Sequence, residues 1–445
     1  MRPSLTASLL LLTLSTPLQA ADLLDYYREA QAQDAAFASA KAAYEAAKEK
    51  IPQAQAANNI QANLKGSVAR THQYINDPGI NPVTGQGLPK NYNSNAYGYT
   101  LSLSKSLYNT QNDIGVEQAK LGVTQLEAQY KLTEMDLAQR VAQAYFDVLL
   151  AQDNVALSGA QKKAISEQLA QAKRNFEVGT ATIVDSQDAQ ARFDLASAKE
   201  IADANDLEVK RQAFVLLTGK APQELALLKE NIQLPLPQPN NMGEWVDTAE
   251  KQNLQIAIQR TAVEIARKQI DLAKAAYGPA VDAFGSYGDN GSSNNLIDGR
   301  GTRDARVGVQ LTVPLYTGGL TQSRVREARL NEEKLKFDVE NTRRIVGQSA
   351  RQAFLGVTSG VAQVKALEQS LSSTELALKS TMLGREVGVR TSVDVLNAQQ
   401  QVFQTRRDLF SARYNVILNE LRLKQASGVL SEADLAEVNK NLVAK

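Results

Sequence analysis

"EVGVRTSVDVLNAQQ" (386–400) is a stretch this chain writes almost twice. Residues 177–191 read "EVGTATIVDSQDAQA", and eight of the fifteen positions agree at an offset of 209. In each copy a glycine, Gly179 or Gly388, ends a long proline-free run, at the place where a left-handed helix C-cap needs no Cβ. Three residues on, Thr182 or Thr391 stands where it can cap a second helix, with Asp185 or Asp394 three further along. Thr-x-x-Asp is a variant of the capping box, and a carboxylate suits a helix N-terminus. The stretch reads as a reversal between two helices, made twice.

The repetition extends outward. "AQAYFDVLLAQ" (142–152) answers "RQAFLGVTSGV" (351–361) and Gly219 answers Gly428, while "YTLSLSKSLYNT" (99–110) answers "VGVQLTVPLYTG" (307–318) at offset 208. A period of roughly 200 residues is far too long for a solenoid and reads as a duplicated half-domain. The copies span residues 21–219 and 251–428. Each holds a helical hairpin, over about 109–218 and 318–427. The first arms, about 70 residues each, would be about 105 Å long at the α-helical rise. In the last arm Leu396, Phe403, Phe410 and Ile417 fall seven residues apart, the spacing of a coiled-coil seam.

Ahead of each hairpin the texture changes to strand. In 97–107 Tyr97, Tyr99, Leu101, Leu103 and Leu107 alternate with small polar residues, and in 305–315 Val307, Val309, Leu311, Val313 and Leu315 do the same. Partner strands are expected at 60–72, where Ile60, Ala62, Leu64 and Val68 alternate with polar residues, and at 280–288, which carries Phe284 and Tyr287. Period two, with one apolar and one polar face, is the pattern of a membrane β-barrel strand. Tyr74, Tyr92, Tyr97 and Tyr99 cluster near the first pair, as interfacial aromatics would. The proline-rich stretch 220–250 reads as a linker or side domain, and 429–445 as a polar tail of weak helical character.

The first twenty residues give an address. Arg2, an apolar core and Pro17 ahead of a cleavage position at Ala20 make a secretory signal peptide, too short to span a bilayer. There is no cysteine, hence no thiol for a disulfide, a zinc cluster or a lipid anchor. No later apolar run approaches the roughly 20 residues of a membrane helix, which leaves a β-barrel as the route into a membrane. Lys plus Arg (49) nearly equals Asp plus Glu (48), so no basic excess points to nucleic acid.

Enzyme readings find no support, and no cofactor or metal site is expected. The one histidine, His72, falls in a strand or loop. "LLTGKAP" (216–222) resembles a phosphate loop, but Phe214 and Ala221 occupy positions that such a loop gives to Gly and to Ser or Thr. A structural periplasmic coiled coil without channel activity would explain the helices and leave the alternating strands idle.

Two halves, each with two strands and a pair of very long helices, together with "VPLYTGG" (313–319) and "VGVRTSVDVLNAQQ" (387–400), resemble the TolC family of outer-membrane channel proteins. The resemblance covers essentially the whole chain after the signal. It implies an α+β membrane protein of a Gram-negative outer membrane: a homotrimer whose twelve-stranded transmembrane β-barrel, four strands per chain, continues into a long α-helical periplasmic barrel. It implies an exit duct for type I protein secretion or multidrug efflux, docked to a periplasmic adaptor and an inner-membrane ABC or proton-driven exporter. Four strands cannot close a barrel and would leave open backbone edges in lipid. Two chains would give a side-chain-filled interior, and three or four a conduit; the count of three comes from the resemblance.

In such proteins the second-copy turn carries acidic residues that ring the tunnel constriction and an arginine that ties the gate shut. Carried over, Asp394 is the ring acid, Arg390 the gate arginine and Asp185 a partner. Asn397 takes the second acidic position, and Arg385 stands where members often have an aromatic gate residue. Val178, Gly179 and Thr180, with Val387, Gly388 and Val389, would form the hairpin tips that the adaptor grips.

Overall fold

A computed structural model describes residues 22–80, 83–88, 90–222, 225–229, 232–293 and 301–443. The signal peptide, Ala20 included, and residues 294–300 of the second strand-connecting loop lie outside the described residues. In chain order the elements are α1 (Leu23–Gln33), α2 (Ala35–Lys48), α3 (Lys50–Ala56), β1 (Gln61–Tyr74), β2 (Asn91–Asn109), α4 (Thr110–Glu177), α5 (Ile183–Thr218), β3 (Leu227–Leu228), α6 (Met242–Gln252), α7 (Leu254–Ala275), β4 (Ala280–Ser292), β5 (Thr302–Thr312), α8 (Leu320–Glu386), α9 (Ser392–Ala426), α10 (Glu432–Asn439) and β6 (Leu442–Val443). Two strands, a helix of 68 or 67 residues and a helix of 36 or 35 residues thus follow one another twice. The chain divides into two compact units, one of residues up to 40, 130–256 and 343 onward, the other of 41–129 and 257–342.

The second unit contains an antiparallel sheet in the order β1-β2-β4-β5. Its register sorts the side chains into rows. Leu64, Leu101, Tyr287 and Ala305 are cross-strand neighbours on one face, as are Ala62, Leu103, Gly285 and Val307. The alternate rows are Lys65, Thr100, Gly288 and Asp304, and Asn63, Ser102, Ser286 and Arg306. One face is apolar and the other polar because side chains alternate along every strand and the register carries that alternation across. Tyr74, Tyr97 and Tyr99 fall on the apolar face, toward the β1–β2 loop.

The apolar face has no cover among the described residues: Val307 is 91% exposed and Leu64 72%. Among the described residues each outer strand, β1 and β5, has a single neighbour. A sheet with an uncovered apolar face and two open edges is not a self-sufficient soluble fold.

Local chemistry moves the strand ends away from the sequence expectation. β2 begins at Asn91 rather than 97, and β4 runs to Ser292 rather than 288. β5 stops at Thr312, ahead of Pro314, which has no N–H to give a ladder. A register shift between Ser106 and Tyr108 sets Tyr108 opposite Val281, so Leu107 is the extra residue of a bulge and leaves the apolar row. Phe284, expected beside Tyr287, lies on the polar face, where its ring covers Gly308; a Cβ there would come within 2.9 Å of the ring. Helix–helix ties in this unit include Lys268–Glu117 at 2.5 Å and Arg267–Glu332 at 3.1 Å.

The first unit holds the main core. Leu137, Val141, Tyr145 and Leu149 of α4 meet Phe214 of α5, Ile417 and Leu421 of α9, Leu23 and Tyr26 of α1, and Leu435 of α10. These α4 residues recur at helical spacing, so burial takes one stripe and leaves the other face polar. On α9 the heptad row expected from sequence is buried at Leu396 and Ile417 and half-buried at Phe403 and Phe410. A second row, Val402, Leu409 and Val416, is also buried; Leu409 and Val416 pack on Val357, Val361 and Val364 of α8. Two adjacent seams let one helix pack on two sides.

Two buried acids here are paired. Tyr414 donates to Asp153 at 2.7 Å, and burial raises the Asp153 carboxyl above its usual range. Asp203 is held by Lys199 at 2.6 Å and by Arg407 of α9 at 3.2 Å. The C-terminal segment is pinned rather than loose. Lys424 binds Glu420 and Asp434, Arg28 binds Glu432, and the Asn439 side chain engages both Leu23 N–H and Asp22. β6 pairs with β3, which lies in the stretch read as a linker, and α6 runs past that stretch's expected end at 250.

The row assignment is testable by charge placement. Leu311→Lys, on the apolar face, is expected to cost about 2–4 kcal/mol if the residue lies near a bilayer midplane, whereas Gln310→Lys is expected to change little. Urea unfolding of both variants refolded into lipid vesicles checks this; equal losses would overturn the face assignment.

Candidate functional site

Both helix reversals are built alike, and the hydrogen bonds give the reason. At the end of α4, Gly179 N–H reaches Phe176 C=O at 3.0 Å and Thr180 N–H reaches Asn175 C=O at 2.8 Å. At the end of α8, Gly388 N–H reaches Arg385 C=O at 3.1 Å and Val389 N–H reaches Gly384 C=O at 2.9 Å. These bond pairs form a Schellman motif, which satisfies terminal carbonyls by placing one residue in the left-handed region. Gly179 and Gly388 sit there, at φ of 75° and 78°.

The following helices start on capping boxes. Asp185 N–H donates to Thr182 Oγ1 at 3.3 Å, while Asp185 Oδ2 accepts from Thr182 N–H at 3.0 Å and from its hydroxyl at 2.8 Å. The corresponding distances for Asp394 and Thr391 are 3.2, 2.8 and 2.9 Å. Hydrogen bonds from Thr182 hold the Asp185 carboxyl below its ordinary range. Asp394 is lowered by the Thr391 backbone N–H first, then by the hydroxyl and the charge of Arg390. In each box Oδ2 takes both bonds, and Oδ1 has no hydrogen-bond partner among the described residues. Capping therefore occupies half of each carboxylate and leaves the other half available.

The remaining sequence-derived residues distribute unevenly. Arg390 is exposed, its stem lies against Gly384, and it forms no ion pair among the described residues. Asn397 is exposed, one turn after Asp394 on α9. Val178, Gly179, Thr180, Val387, Gly388 and Val389 are all exposed at the two tips, Val178 at 72% and Val389 at 74%. Arg385 goes elsewhere. It lines a narrow crevice with Asp185 and Asp188 of the first hairpin and Ser392 of the second. The structure thus brings Arg385 and Asp185 together, and adds Asp188, which sequence reasoning missed although it lies three residues from Asp185 on the same helix face.

The sequence model of the family described as "Outer membrane efflux protein" matches residues 26–220 and 245–429. The chain belongs to this family. Its members are transport proteins of the outer membrane, and the two matched segments are the two copies of the strand-and-hairpin unit. Among known relatives, the outer membrane protein TolC of Vibrio cholerae is 33% identical over 437 residues, covering 97% of each chain. The alkaline protease secretion protein AprF of Pseudomonas aeruginosa is 33% identical over 357 residues, 78% of this chain and 73% of that one. The solved structure of the outer membrane protein VceC from Vibrio cholerae superposes with a TM-score of 0.74 at 18% identity, over 91% of this chain and 96% of the other. This TolC-family protein therefore has the fold of known outer-membrane channels.

The lowered carboxyl pKa values give a pH signature with a definite sign. A depressed folded-state pKa contributes stability above the unfolded value of about 3.9, and the contribution fades as pH falls through the lower folded value. Amide protection in residues 183–186 and 392–395, corrected for intrinsic exchange, is expected to persist at pH 5 and to fall only below the ordinary aspartate value of about 3.9. Thr391→Val should move the loss at 392–395 upward toward the ordinary aspartate value and leave 183–186 unchanged. Hydrogen-exchange mass spectrometry reads both; an identical profile in the variant would remove the capping account of Asp394.

Proposed function

We propose that three copies of this chain form the outer-membrane exit duct of a tripartite export system. The duct would pass substrates from an inner-membrane ABC or proton-driven exporter, through a gated periplasmic tunnel, to the outside. The observation that carries the proposal is the four-stranded sheet with an apolar face and two open edges. Every unpaired N–H or C=O in lipid costs several kcal/mol, on the order of a lost hydrogen bond, so β1 of one copy must pair with β5 of the next. Three four-stranded sheets then make twelve strands, wide enough to leave a conduit. A purely structural coiled coil would give this sheet no role.

The names of relatives support the cargo class in outline. AprF is a protein of alkaline protease secretion, PrtF of Dickeya chrysanthemi one of proteases secretion. We assign this chain to type I protein secretion or multidrug efflux, with a periplasmic adaptor gripping the exposed tips at Val178, Gly179 and Thr180 and at Val387, Gly388 and Val389. Lipid of the outer membrane contacts the apolar sheet face.

At the gate, Asp394 supplies the acidic ring through its Oδ1, and Arg390, which has no ion pair among the described residues, binds across to a neighbouring copy. Asn397 adds a polar, uncharged position one turn on. Arg385, which lines one crevice with Asp185 and Asp188, sets a positive charge of the second hairpin beside the acids of the first. Three carboxylates near an axis repel one another and draw cations into the constriction.

The experiment combines mass, selectivity and stability. In mild detergent the protein is expected to have three times the mass of the processed chain; a monomer would refute the duct. Asp394→Asn keeps an oxygen able to cap and removes the charge, so it should lower cation selectivity in planar bilayers with thermal stability retained. Asp394→Ala should lower both. Arg390→Ser should raise conductance with trimer stability nearly unchanged, since exposed ion pairs contribute about 0–1 kcal/mol. Unchanged selectivity in both Asp394 variants would leave that residue as a cap alone.

A further inference from the structure

Between Asp188 and Lys199 of α5 and between Leu396 and Arg407 of α9, the two helices leave a groove of about 500 Å³. Its floor is the buried cluster of Ile165 from α4, Ala196 and Leu396. Those spans make it roughly 16 Å long at the α-helical rise, and its volume falls within the range of small-molecule sites.

Two features give the groove a preference. One wall is apolar and reachable. Leu195 is 72% exposed and the Phe403 ring is half-buried. An aromatic or fused-ring body laid there would remove that apolar surface from water and meet a ring face.

The other feature is a surplus of positive charge on reachable atoms. Lys199 and Arg407 share one carboxylate: buried Asp203 takes Lys199 on Oδ1 at 2.6 Å and Arg407 on Oδ2 at 3.2 Å. Both oxygens are occupied, so one acid serves two cations. The Lys199 side chain is 46% exposed, and its ammonium keeps donors to spare after Asp203. Arg192 is bound to Asp188 through Nε at 3.1 Å, and its two terminal nitrogens meet no acceptor among the described residues. Three cations of the lining thus stand against Asp188 in the lining and Asp203 behind it.

Duplication did not supply this set. At the offset of 209, Lys199 corresponds to Asp408, Arg407 to Ala198 and Phe403 to Asp194. In each pair the cation or the ring lines the groove, and its counterpart does not. The two copies have diverged so that apolar surface and positive charge meet on this one seam.

We propose that the groove between α5 and α9 binds a small amphiphilic anion, an aromatic or fused-ring body carrying one carboxylate or sulfonate. The body lies on Leu195 and Phe403, and the anionic group accepts hydrogen bonds from Lys199 and Arg407. The site adds a class of small organic ligand to the duct reading and rests on that reading only for its biological use. Binding needs no transport and is measured separately.

The test is isothermal titration of the full-length protein in lipid nanodiscs, with empty nanodiscs as the blank. The probes are naphthalenesulfonate, neutral naphthalenemethanol, methanesulfonate and a naphthylmethyl-trimethylammonium salt. Naphthalenesulfonate is expected to bind roughly tenfold more tightly than each of the others, the worth of one charge-assisted hydrogen bond. Lys199→Gln leaves Asp203 paired with Arg407; it should weaken naphthalenesulfonate roughly tenfold and leave naphthalenemethanol unchanged. Leu195→Asn, at a position too exposed to support the core, should weaken both of these naphthalene probes several-fold. It decides the matter should Lys199→Gln fail to fold. Methanesulfonate or the ammonium salt binding as tightly as naphthalenesulfonate, or unchanged affinity in Leu195→Asn, would overturn the site. Failure of every probe to bind, the outcome if another chain fills the groove, would overturn it too. A failed titration with normal bilayer conductance would sink this site and spare the duct; lost conductance with a normal titration would sink the duct alone.

Discussion

A helix satisfies its own backbone and a strand does not, and most of this structure follows from that difference. The long helices need nothing beyond their own N–H to C=O ladder and two ends to be capped. The sheet carries its backbone groups outward to β1 and β5, where the described residues provide no further strand. In water such an edge would be hydrated; in lipid it must find another strand. The side chains agree with the backbone, since the face that presents Leu64, Leu101, Val307 and Val309 is apolar and uncovered. One chain thus carries a helical part with a core of its own and a sheet that is incomplete by construction.

What the sequence made legible was whatever depends on neighbours along the chain. The helix reversals were readable because Gly, Thr and Asp at fixed offsets are local chemistry: a left-handed cap at Gly179 or Gly388, and a box closed by bonds between residues three apart. The alternation in β2 and β5 was readable for the same reason. Strand ends were less so. Pro314 could have been read as the terminator of β5, whereas the bulge after Ser106 and the turn of Phe284 over Gly308 depend on the facing strand.

Tertiary features were beyond pattern reasoning. The second seam of α9, at Val402, Leu409 and Val416, shares its helix with the one that was found, and heptad counting favours whichever row holds the larger side chains. The C-terminal segment looked polar and idle because its partners, Arg28, Lys424 and Asp22, are mostly far away in sequence. Arg385 and Asp188 needed the fold to bring two hairpins together.

The residues of the two helix reversals show how duplication and divergence work together. At the offset of 209, Thr391 and Asp394 correspond to Thr182 and Asp185, and the cap survives intact in both copies. Two other positions diverge in complementary directions: Arg385 corresponds to Phe176, and Asn397 to Asp188. Two unchanged copies would have set Asp188 in the crevice against an aromatic side chain and doubled the acids on the hairpin starts. Instead the second copy contributes a cation, and the first contributes two acids to the same crevice. Asp188 is also held by Arg192 of its own helix at 3.1 Å, and exposed charges add little to stability, so any complementarity across the crevice bears on which hairpin faces which more than on how firmly they hold. The shared residues make both turns; the differing residues make the two turns fit each other.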